Sequence, residues 1–188
     1  MIRARQIVFL LLIGTTCFAQ HQHHQPENAD GNAKPTTILI FMAVDCPVTQ
    51  KYMNTIKMLA SRYKDRISVT GYFPAGLPRK TETSFRSEYE IPEHIKLVDD
   101  KNHHITKKLG ATITPEVFLL SDGGEVLYSG AIDNWFFELG RYRPEITENY
   151  LVDAIEAALT GKVAAITKTT AIGCFIQQAG DEKKKHEH

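Results

Sequence analysis

Cys46 lies at a position where a cysteine can act as a nucleophile. The apolar run at residues 38–44 predicts a buried strand, and after Pro47 apolar residues recur every three or four positions, which predicts a helix over residues 47–64. Proline is favoured at the first position of a helix because its missing N–H group would have no partner there. Cys46 is therefore expected at a helix N-terminus, where free N–H groups and the helix dipole stabilise a thiolate.

A structural role for Cys46 is the alternative, because free cysteines are among the residues most often buried in protein cores. Its place between a strand and a helix, beside the charged Asp45, favours the functional interpretation. The Asp45 carboxylate is expected to oppose the helix dipole, since a neighbouring negative charge disfavours a thiolate.

The mature chain is expected to keep two of its three cysteines. Residues 1–19 carry arginines at positions 3 and 5, an apolar core at residues 7–13 and then small and polar residues up to Cys17-Phe18-Ala19, which is typical of a secretory signal peptide cleaved after Ala19. A lipidated Cys17 is the weaker alternative. Cleavage leaves Cys46 and Cys174 in an exported protein of the periplasm or cell envelope, where an even number of cysteines favours pairing.

The segment that precedes Cys174 is long enough to reach Cys46. Residues 162–174 lack a helical pattern and extend over about 40 Å at roughly 3.3 Å per residue. A domain of this size has a radius of gyration of only about 15 Å. Gly173 permits a close approach of the backbone beside the thiol.

Three roles are open for Cys174. It can resolve an intermediate on Cys46 by thiol–disulfide exchange. It can form a permanent disulfide that pins the tail. In the third case, both thiols stay unpaired.

The elements expected around the two cysteines alternate between strands and helices. Further strands are predicted at residues 67–73, 95–98, 116–120 and 125–129, and further helices at residues 81–90, 102–109 and 147–160. This order predicts an α/β domain over residues 36–161, with a central mixed sheet flanked by helices. An extended tail at residues 162–180 carries Cys174. Residues 20–35, rich in His and Gln, and the charged residues 181–188 are expected to be disordered.

Charge and hydropathy exclude two classes of function. Lys and Arg number 22, as do Asp and Glu, so the formal net charge is zero and no basic face indicates nucleic-acid binding. No second long apolar stretch predicts a membrane span after signal cleavage. The expected chemistry needs no bound cofactor.

Four motifs, DCPVTQKY, GATITPEVFLL, SDGGEVLYSGAIDN and IGCFI, together resemble exported bacterial thioredoxin-like redoxins. This group is related to the peroxiredoxins (AhpC/TSA) and to the thiol:disulfide oxidoreductases of the thioredoxin superfamily. The resemblance extends from about residue 36 to residue 161. It implies a thioredoxin-like fold in which the Thr114-Pro115 bond is cis and faces Cys46.

The expected mechanism is dithiol chemistry outside the cytoplasm. Cys46 is expected to be the nucleophile and Cys174 the resolving thiol, while Pro115 and the backbone beside it would orient an incoming substrate. Thr114 and Pro47 would contact that substrate, which would be a disulfide-containing protein or a peroxide. An external thiol would supply electrons.

The chain departs from both relatives at the site. Thr49 occupies the place of the second cysteine in the Cys-x-x-Cys motif of thioredoxins. Ala43 occupies the place of the threonine that precedes the reactive cysteine of peroxiredoxins by three residues. Arg141 and Arg143 are candidates for the arginine that assists the reactive cysteine of peroxiredoxins, on the ground only that they are nearby cations.

A copper chaperone is a different class of function with the same fold. Cys46-Pro47 resembles the second half of the Cys-x-x-x-Cys-Pro motif of these proteins, with Met42 in place of the first cysteine. A thioether is a soft ligand suited to Cu(I), and His103 and His104 would complete the site. Core packing for Met42 and a surface helix start at the two histidines are the simpler interpretations.

A non-catalytic binding domain with a structural disulfide is the third alternative. Residues 130–144 contain Trp135, Phe136, Phe137 and Tyr142 together with two arginines. If exposed, such a set is typical of an interface hot spot. Coverage of the sheet edge is the preferred interpretation.

Overall fold

The computed structural model describes residues 36–177. The predicted signal peptide, the His-rich leader at residues 20–35, residues 178–180 of the predicted tail and the charged end lie outside the described residues. Within the described part of the chain, none of the helices has the length and apolar character needed to cross a membrane.

Strands and helices alternate through the first half of the described chain. The strands are β1 (Thr36–Phe41), β2 (Ile67–Phe73), β3 (Ile95–Asp99), β4 (Ile113–Thr114), β5 (Glu116–Leu120), β6 (Val126–Gly130), β7 (Phe136–Glu138), β8 (Arg141–Tyr142) and β9 (Cys174–Phe175). The helices are α1 (Pro47–Arg62), α2 (Arg79–Glu88), α3 (His104–Leu109) and α4 (Tyr150–Leu159).

A five-stranded mixed sheet with strand order β3-β2-β1-β5-β6 forms the centre of the fold. β1, β2 and β3 run parallel, whereas β5 is antiparallel to both β1 and β6. Two small antiparallel pairs, β4-β9 and β7-β8, lie outside this sheet. The predicted α/β architecture, a mixed sheet flanked by helices, is confirmed.

Strand β1 is buried on both faces because its alternate residues enter two different apolar clusters. The larger cluster includes Ile38 and Ile40 together with the apolar stripes of α1 and α4. The smaller cluster consists of Leu39, Phe41, Ala111, Phe118 and Ile176. Since Ile176 belongs to the C-terminal tail, the tail completes the core on the second face of the sheet.

The boundaries of several elements differ from those predicted, each for a local reason. β1 ends at Phe41 rather than at residue 44 because the chain turns before Cys46. α2 starts at Arg79, directly after Pro78, whose carbonyl accepts the N–H of Glu82. α4 starts later than predicted because the N–H group of Thr147 bonds to a side chain in the preceding loop.

That preceding loop, residues 131–149, is tied to α1 through buried polar groups. The Tyr52 hydroxyl donates to Asp133 Oδ1 at 2.5 Å, and the Trp135 N–H donates to the same oxygen at 2.8 Å. Burial raises the pKa of Asp133 above its usual value, although the Tyr52 hydroxyl lowers it in part. Trp135 and Phe136 pack against Tyr52, whereas Phe137 is 42% exposed. The loop at residues 131–149 thus covers α1 with some of its aromatic rings and exposes others.

Helix α3 is held by the buried carboxylate of Asp100, which precedes it. This carboxylate accepts the backbone N–H groups of His104, Ile105 and Thr106 and the Thr106 hydroxyl. Burial alone raises the pKa of Asp100, but these hydrogen bonds outweigh it and leave the pKa below 3.8. Because α3 leads directly into β4, Asp100 fixes the approach of the chain to the site.

We expect Asp100→Ala to lower the free energy of unfolding by about 2 kcal/mol at pH 7, since it leaves several buried donors unpaired. The folded-state pKa of Asp100 lies below the ordinary 3.8. The advantage of the wild type therefore persists above pH 3.8 and is lost as the pH falls through the lower, folded-state value. Urea unfolding at several pH values measures both effects. Asp122→Asn, in an exposed turn, is the control, and equal stability of D100A and wild type would contradict the assignment.

Candidate active site

Cys46 is the N-cap residue of α1, and Pro47 is the first helical residue, as predicted. The backbone of Cys46 is extended (φ −79°, ψ 114°), and its carbonyl accepts the N–H of Gln50 at 3.0 Å. The side chain is only 1% exposed. As a thiol, Cys46 Sγ donates to the carbonyl oxygen of Thr114 at 3.0 Å.

The Thr114-Pro115 bond is cis, as the resemblance implied, and it faces Cys46. Thr114 and Pro115 are both buried. They connect β4 to β5, the strand that pairs with β1, so the central sheet fixes the position of this wall relative to the cysteine. Pro47, on the other side, is exposed.

The tail brings Cys174 to the same place. In the β4-β9 pair, Thr114 lies opposite Cys174, and the Thr114 hydroxyl donates to the Cys174 carbonyl at 3.3 Å. The Cys174 side chain packs against the cluster that contains Cys46 and is within hydrogen-bonding reach of its sulfur. Both cysteines are free thiols in this structure. The predicted close approach at Gly173 is also present, since this residue lies directly against the backbone of Thr114.

The surroundings of Cys46 favour its ionised form. Burial by itself raises the pKa of the Cys46 thiol, but hydrogen bonds from the Cys174 thiol, the Thr49 backbone N–H and side chains including the Thr49 hydroxyl lower it by more. The pKa therefore lies below its ordinary value of 9.0. The Thr49 N–H group belongs to the first turn of α1, so part of this effect is the helix N-terminus that the sequence predicted.

The surroundings of Cys174 have the opposite effect. Burial, the hydrogen bond to Cys46 and the negative charges of Cys46 and Asp45 raise the pKa of Cys174 to about 12. Cys174 therefore remains a thiol and can donate to a thiolate at Cys46. The Asp45 carboxylate, which the sequence predicted to disfavour the Cys46 thiolate, contributes less than burial and Cys46 to the raised pKa of Cys174.

The residues considered for copper take other roles. Met42 is 1% exposed and its methyl group fills the space above Gly71, which is core packing. His103 is buried with Nε2 at 3.0 Å from the Pro74 carbonyl oxygen, whereas His104 is exposed. Among residues 36–177, no three His, Cys, Asp or Glu side chains are grouped to hold a metal ion, so Cys46 and the two histidines form no such group.

The two candidate arginines belong to the β7-β8 hairpin. Both guanidinium groups lie over the Phe137 ring, at 5.0 Å for Arg141 and 5.3 Å for Arg143. Arg141 also pairs with Glu138 at 2.8 Å, and Arg143 donates to the Asn134 carbonyl at 2.6 Å. Their hydrogen bonds and ring contacts therefore serve the hairpin.

Thr49 is a site residue for which the sequence predicted no role beyond the absence of the second cysteine of a Cys-x-x-Cys motif. It is fully buried at the third position of α1, and within the described chain its hydroxyl has no hydrogen-bond partner while Cys46 is a thiol. A buried hydroxyl beside a cysteine can donate to the thiolate. A threonine three residues after a helix-capping cysteine is the sequence signal that predicts this contact.

We expect Thr49→Val to raise the pKa of Cys46, because valine has the same shape but cannot donate a hydrogen bond. The pH dependence of Cys46 alkylation by iodoacetamide measures this pKa. Thr49→Ser retains the hydroxyl and should keep the wild-type profile. Identical profiles for T49V and wild type would show that the hydroxyl does not stabilise the thiolate.

Comparison with known proteins agrees with the fold that positions this site. A family model described as a thioredoxin-like domain matches residues 22–138, which is more than half of the chain. No curated protein matches the chain.

Several solved structures have a similar fold. A hypothetical protein from Sinorhizobium meliloti 1021 is 21% identical with a TM-score of 0.68, and the alignment covers 80% of this chain and 83% of that one. An uncharacterised protein from Geobacillus kaustophilus is 18% identical with a TM-score of 0.66 and coverages of 78% and 79%. A Chlorobium tepidum protein provisionally named thiol:disulfide interchange protein DsbE is 19% identical, with a TM-score of 0.51 and coverages of 68% and 82%. These structures share the fold built on the central mixed sheet, and the family model that matches more than half of the chain shows that the chain belongs to the thioredoxin-like domain family.

Proposed function

We propose that this protein is a thiol-disulfide oxidoreductase in which Cys46 is the nucleophile and Cys174 the resolving thiol. The observation that supports this most is the contact between two free thiols whose pKa values are shifted in opposite directions. A permanent disulfide does not require the pKa values of its two cysteines to differ. A dithiol enzyme needs one cysteine ionised for the attack and the other protonated until the mixed disulfide has formed. The provisional name of the Chlorobium tepidum protein, which has this fold, points to the same class of reaction.

In the first step, the Cys46 thiolate attacks one sulfur of a substrate disulfide. The substrate S–S bond breaks, a mixed disulfide forms between Cys46 and the substrate, and the other substrate sulfur leaves as a thiolate that takes up a proton. The Thr49 hydroxyl stabilises the attacking charge, and the Cys174 thiol stabilises the Cys46 thiolate before the substrate arrives. Thr114 and Pro115 form the wall opposite Cys46, and the exposed Pro47 lies beside the approach.

In the second step, Cys174 attacks the sulfur of Cys46. Its proton passes to solvent or to the leaving substrate thiolate. Once Cys46 is in a mixed disulfide, its negative charge, which is one of the causes of the raised pKa of Cys174, is gone. The Cys46–Cys174 disulfide forms as the reduced substrate leaves. Two electrons have moved from the protein to the substrate. An external thiol then reduces the protein disulfide, and the same steps in reverse oxidise a substrate dithiol.

The proposal includes export. The features of residues 1–19 support a signal peptide cleaved after Ala19, and in the periplasm or cell envelope disulfides form and persist. N-terminal sequencing of protein recovered from the periplasmic fraction tests the cleavage site.

We expect Cys174→Ser to arrest the reaction at the mixed disulfide. The reduced protein, starting at residue 20, would be mixed with oxidised glutathione or with hydrogen peroxide, quenched in acid, alkylated and weighed intact. Wild type should lose two hydrogens as the internal disulfide forms, while Cys174→Ser should retain glutathione on Cys46. Cys46→Ser should react at least about 100-fold more slowly with glutathione disulfide, because the remaining Cys174 lacks the helix N-terminus and the Thr49 hydroxyl that stabilise a thiolate at Cys46.

Other outcomes assign the alternatives. Rapid reaction with peroxide and slow reaction with the disulfide would make the protein a thiol peroxidase. An internal bond that resists reductant until the protein unfolds would be a structural disulfide. Two thiols unchanged by either oxidant would refute the redox pair, and Cu(I) titration of the reduced protein would then test the copper alternative.

A further inference from the structure

We propose that residues 167–177 form a strap over Cys46 with two anchors of different roles. The distal anchor, residues 173–176, must leave the site before a protein substrate can reach Cys46. The proximal anchor, residues 167–169, stays bound and keeps Cys174 within reach. This inference rests on the proposed function, since the strap carries the resolving thiol.

The burial of Cys46 requires such an opening. Its side chain is 1% exposed, so a protein disulfide cannot align with Cys46 Sγ in the observed state. On one side Cys46 contacts Thr114, the last residue of β4, which Pro115 joins directly to β5 of the central sheet. On another side lies Cys174, on a strand of two residues that pairs only with β4. The distal anchor is therefore the cover that can move without breaking a hydrogen bond of the central sheet.

The distal anchor joins the site through few interactions. β9 pairs with β4 over two residues, and the Ile176 N–H donates to the Thr112 carbonyl at 2.8 Å. Ile176 is buried in the smaller apolar cluster, whereas Phe175 is 84% exposed. An exposed phenylalanine between a resolving cysteine and a buried isoleucine leaves this end of the strap open to solvent on one face.

Glycine at position 173 is a steric requirement of the distal anchor. A Cβ there would overlap the Thr114 carbonyl oxygen and lie 2.7 Å from its carbonyl carbon. Both atoms are backbone atoms of the wall that faces Cys46, so neither can rotate away. Any side chain at residue 173 therefore lifts the strap from Thr114.

The proximal anchor is built more firmly, along the edge of β6. Backbone bonds join the Ser129 N–H to the Thr167 carbonyl at 3.1 Å and the Thr169 N–H to the Ser129 carbonyl at 2.9 Å. The Thr169 hydroxyl oxygen accepts the Ala131 N–H at 2.9 Å and lies 2.6 Å from the hydroxyl of the buried Tyr128. The exposed Thr170 follows this anchor and is the natural hinge.

The two anchors together explain how a tail cysteine can resolve efficiently. When the distal anchor opens, Cys46 and the backbone of β4 become available to a substrate. Cys174 remains tethered a few residues from a fixed point, so its effective concentration at Cys46 stays high. Return of β9 to β4 then brings Cys174 onto the mixed disulfide and occupies the position of the leaving substrate.

Access to Cys46 can be measured separately from redox activity in a Cys174→Ser background. The protein, starting at residue 20, then carries Cys46 as its one cysteine. We expect Gly173→Ala in this background to speed Cys46 modification by N-ethylmaleimide at least about tenfold, because local opening limits the reaction of a buried thiol. The rate is compared on the plateau above the pKa of Cys46, where only access determines it.

Gly123→Ala is the matched control, since a Cβ there meets only the Ser121 hydroxyl oxygen at 3.7 Å in an exposed turn. It should leave the rate of Cys46 modification unchanged. Equal plateau rates for Gly173→Ala and its parent would overturn the strap, whatever the redox results. Conversely, a faster rate combined with a wild type that never forms the internal disulfide would refute the proposed function and leave the strap standing.

Amide hydrogen exchange tests the order of opening without altering the strap. In the Cys174→Ser protein, the Ile176 N–H of the distal anchor should exchange at least about tenfold faster than the Thr169 N–H of the proximal anchor, after correction for intrinsic rates. Equal exchange, or faster exchange at Thr169, would overturn the assignment of the two anchors. This measurement remains decisive even if Gly173→Ala fails to fold.

The proximal anchor has its own test in the protein with both cysteines. Thr169→Val should leave mixed-disulfide formation at Cys46 at least as fast as in wild type but slow its resolution by Cys174 about tenfold, since the tether is lost. Thr169→Ser keeps the hydroxyl and should restore resolution. Thermal unfolding confirms that each variant is folded at the assay temperature. Unchanged resolution in folded T169V would refute the tether.

Discussion

The close contact between the backbone of Thr114 and the tail is the constraint on which the site depends. The Thr114 carbonyl oxygen accepts a hydrogen bond from the Cys46 thiol, while the same residue lies opposite Cys174 in the β4-β9 pair. Only a glycine at residue 173 lets the two backbones approach this closely. One residue thus sets the positions of both sulfurs, and the cis bond that follows it turns the chain into β5 and the central sheet.

The chemistry follows from how this contact distributes charge. Two thiols at such close range cannot both ionise at low cost, so small differences in their surroundings decide which one does. Cys46 has the helix N-terminus and the Thr49 hydroxyl as donors, whereas burial, the hydrogen bond and charge of Cys46 and, least, the Asp45 carboxylate disfavour a thiolate at Cys174. The cysteine that ionises first is therefore set by its hydrogen-bond donors and not by exposure, since Cys46 is the more buried of the two.

Sequence patterns predicted the parts of this arrangement that depend on local periodicity. The strand, proline and apolar stripe around Cys46 placed it at the helix N-terminus, and the length of the tail allowed Cys174 to reach it. The two-residue strands β4 and β9 are too short to have a periodic signal, and their pairing joins segments about 60 residues apart. The cis bond followed only from resemblance, because an X-Pro bond is trans by default. The hydroxyl anchor at Thr169 has no sequence pattern at all.

Replacing the second cysteine of a Cys-x-x-Cys motif by Thr49 changes what controls the reaction. A resolving cysteine on the same helix is always within one turn of the nucleophile, so a mixed disulfide has a short life. In the mechanism we propose, the resolving thiol is carried by a separate segment that leaves the site to admit the substrate. The lifetime of the intermediate is then set by the return of that segment. In this mechanism Thr49 still donates a hydrogen bond to the Cys46 thiolate, as the second cysteine of the motif would, and the strap supplies the resolving sulfur.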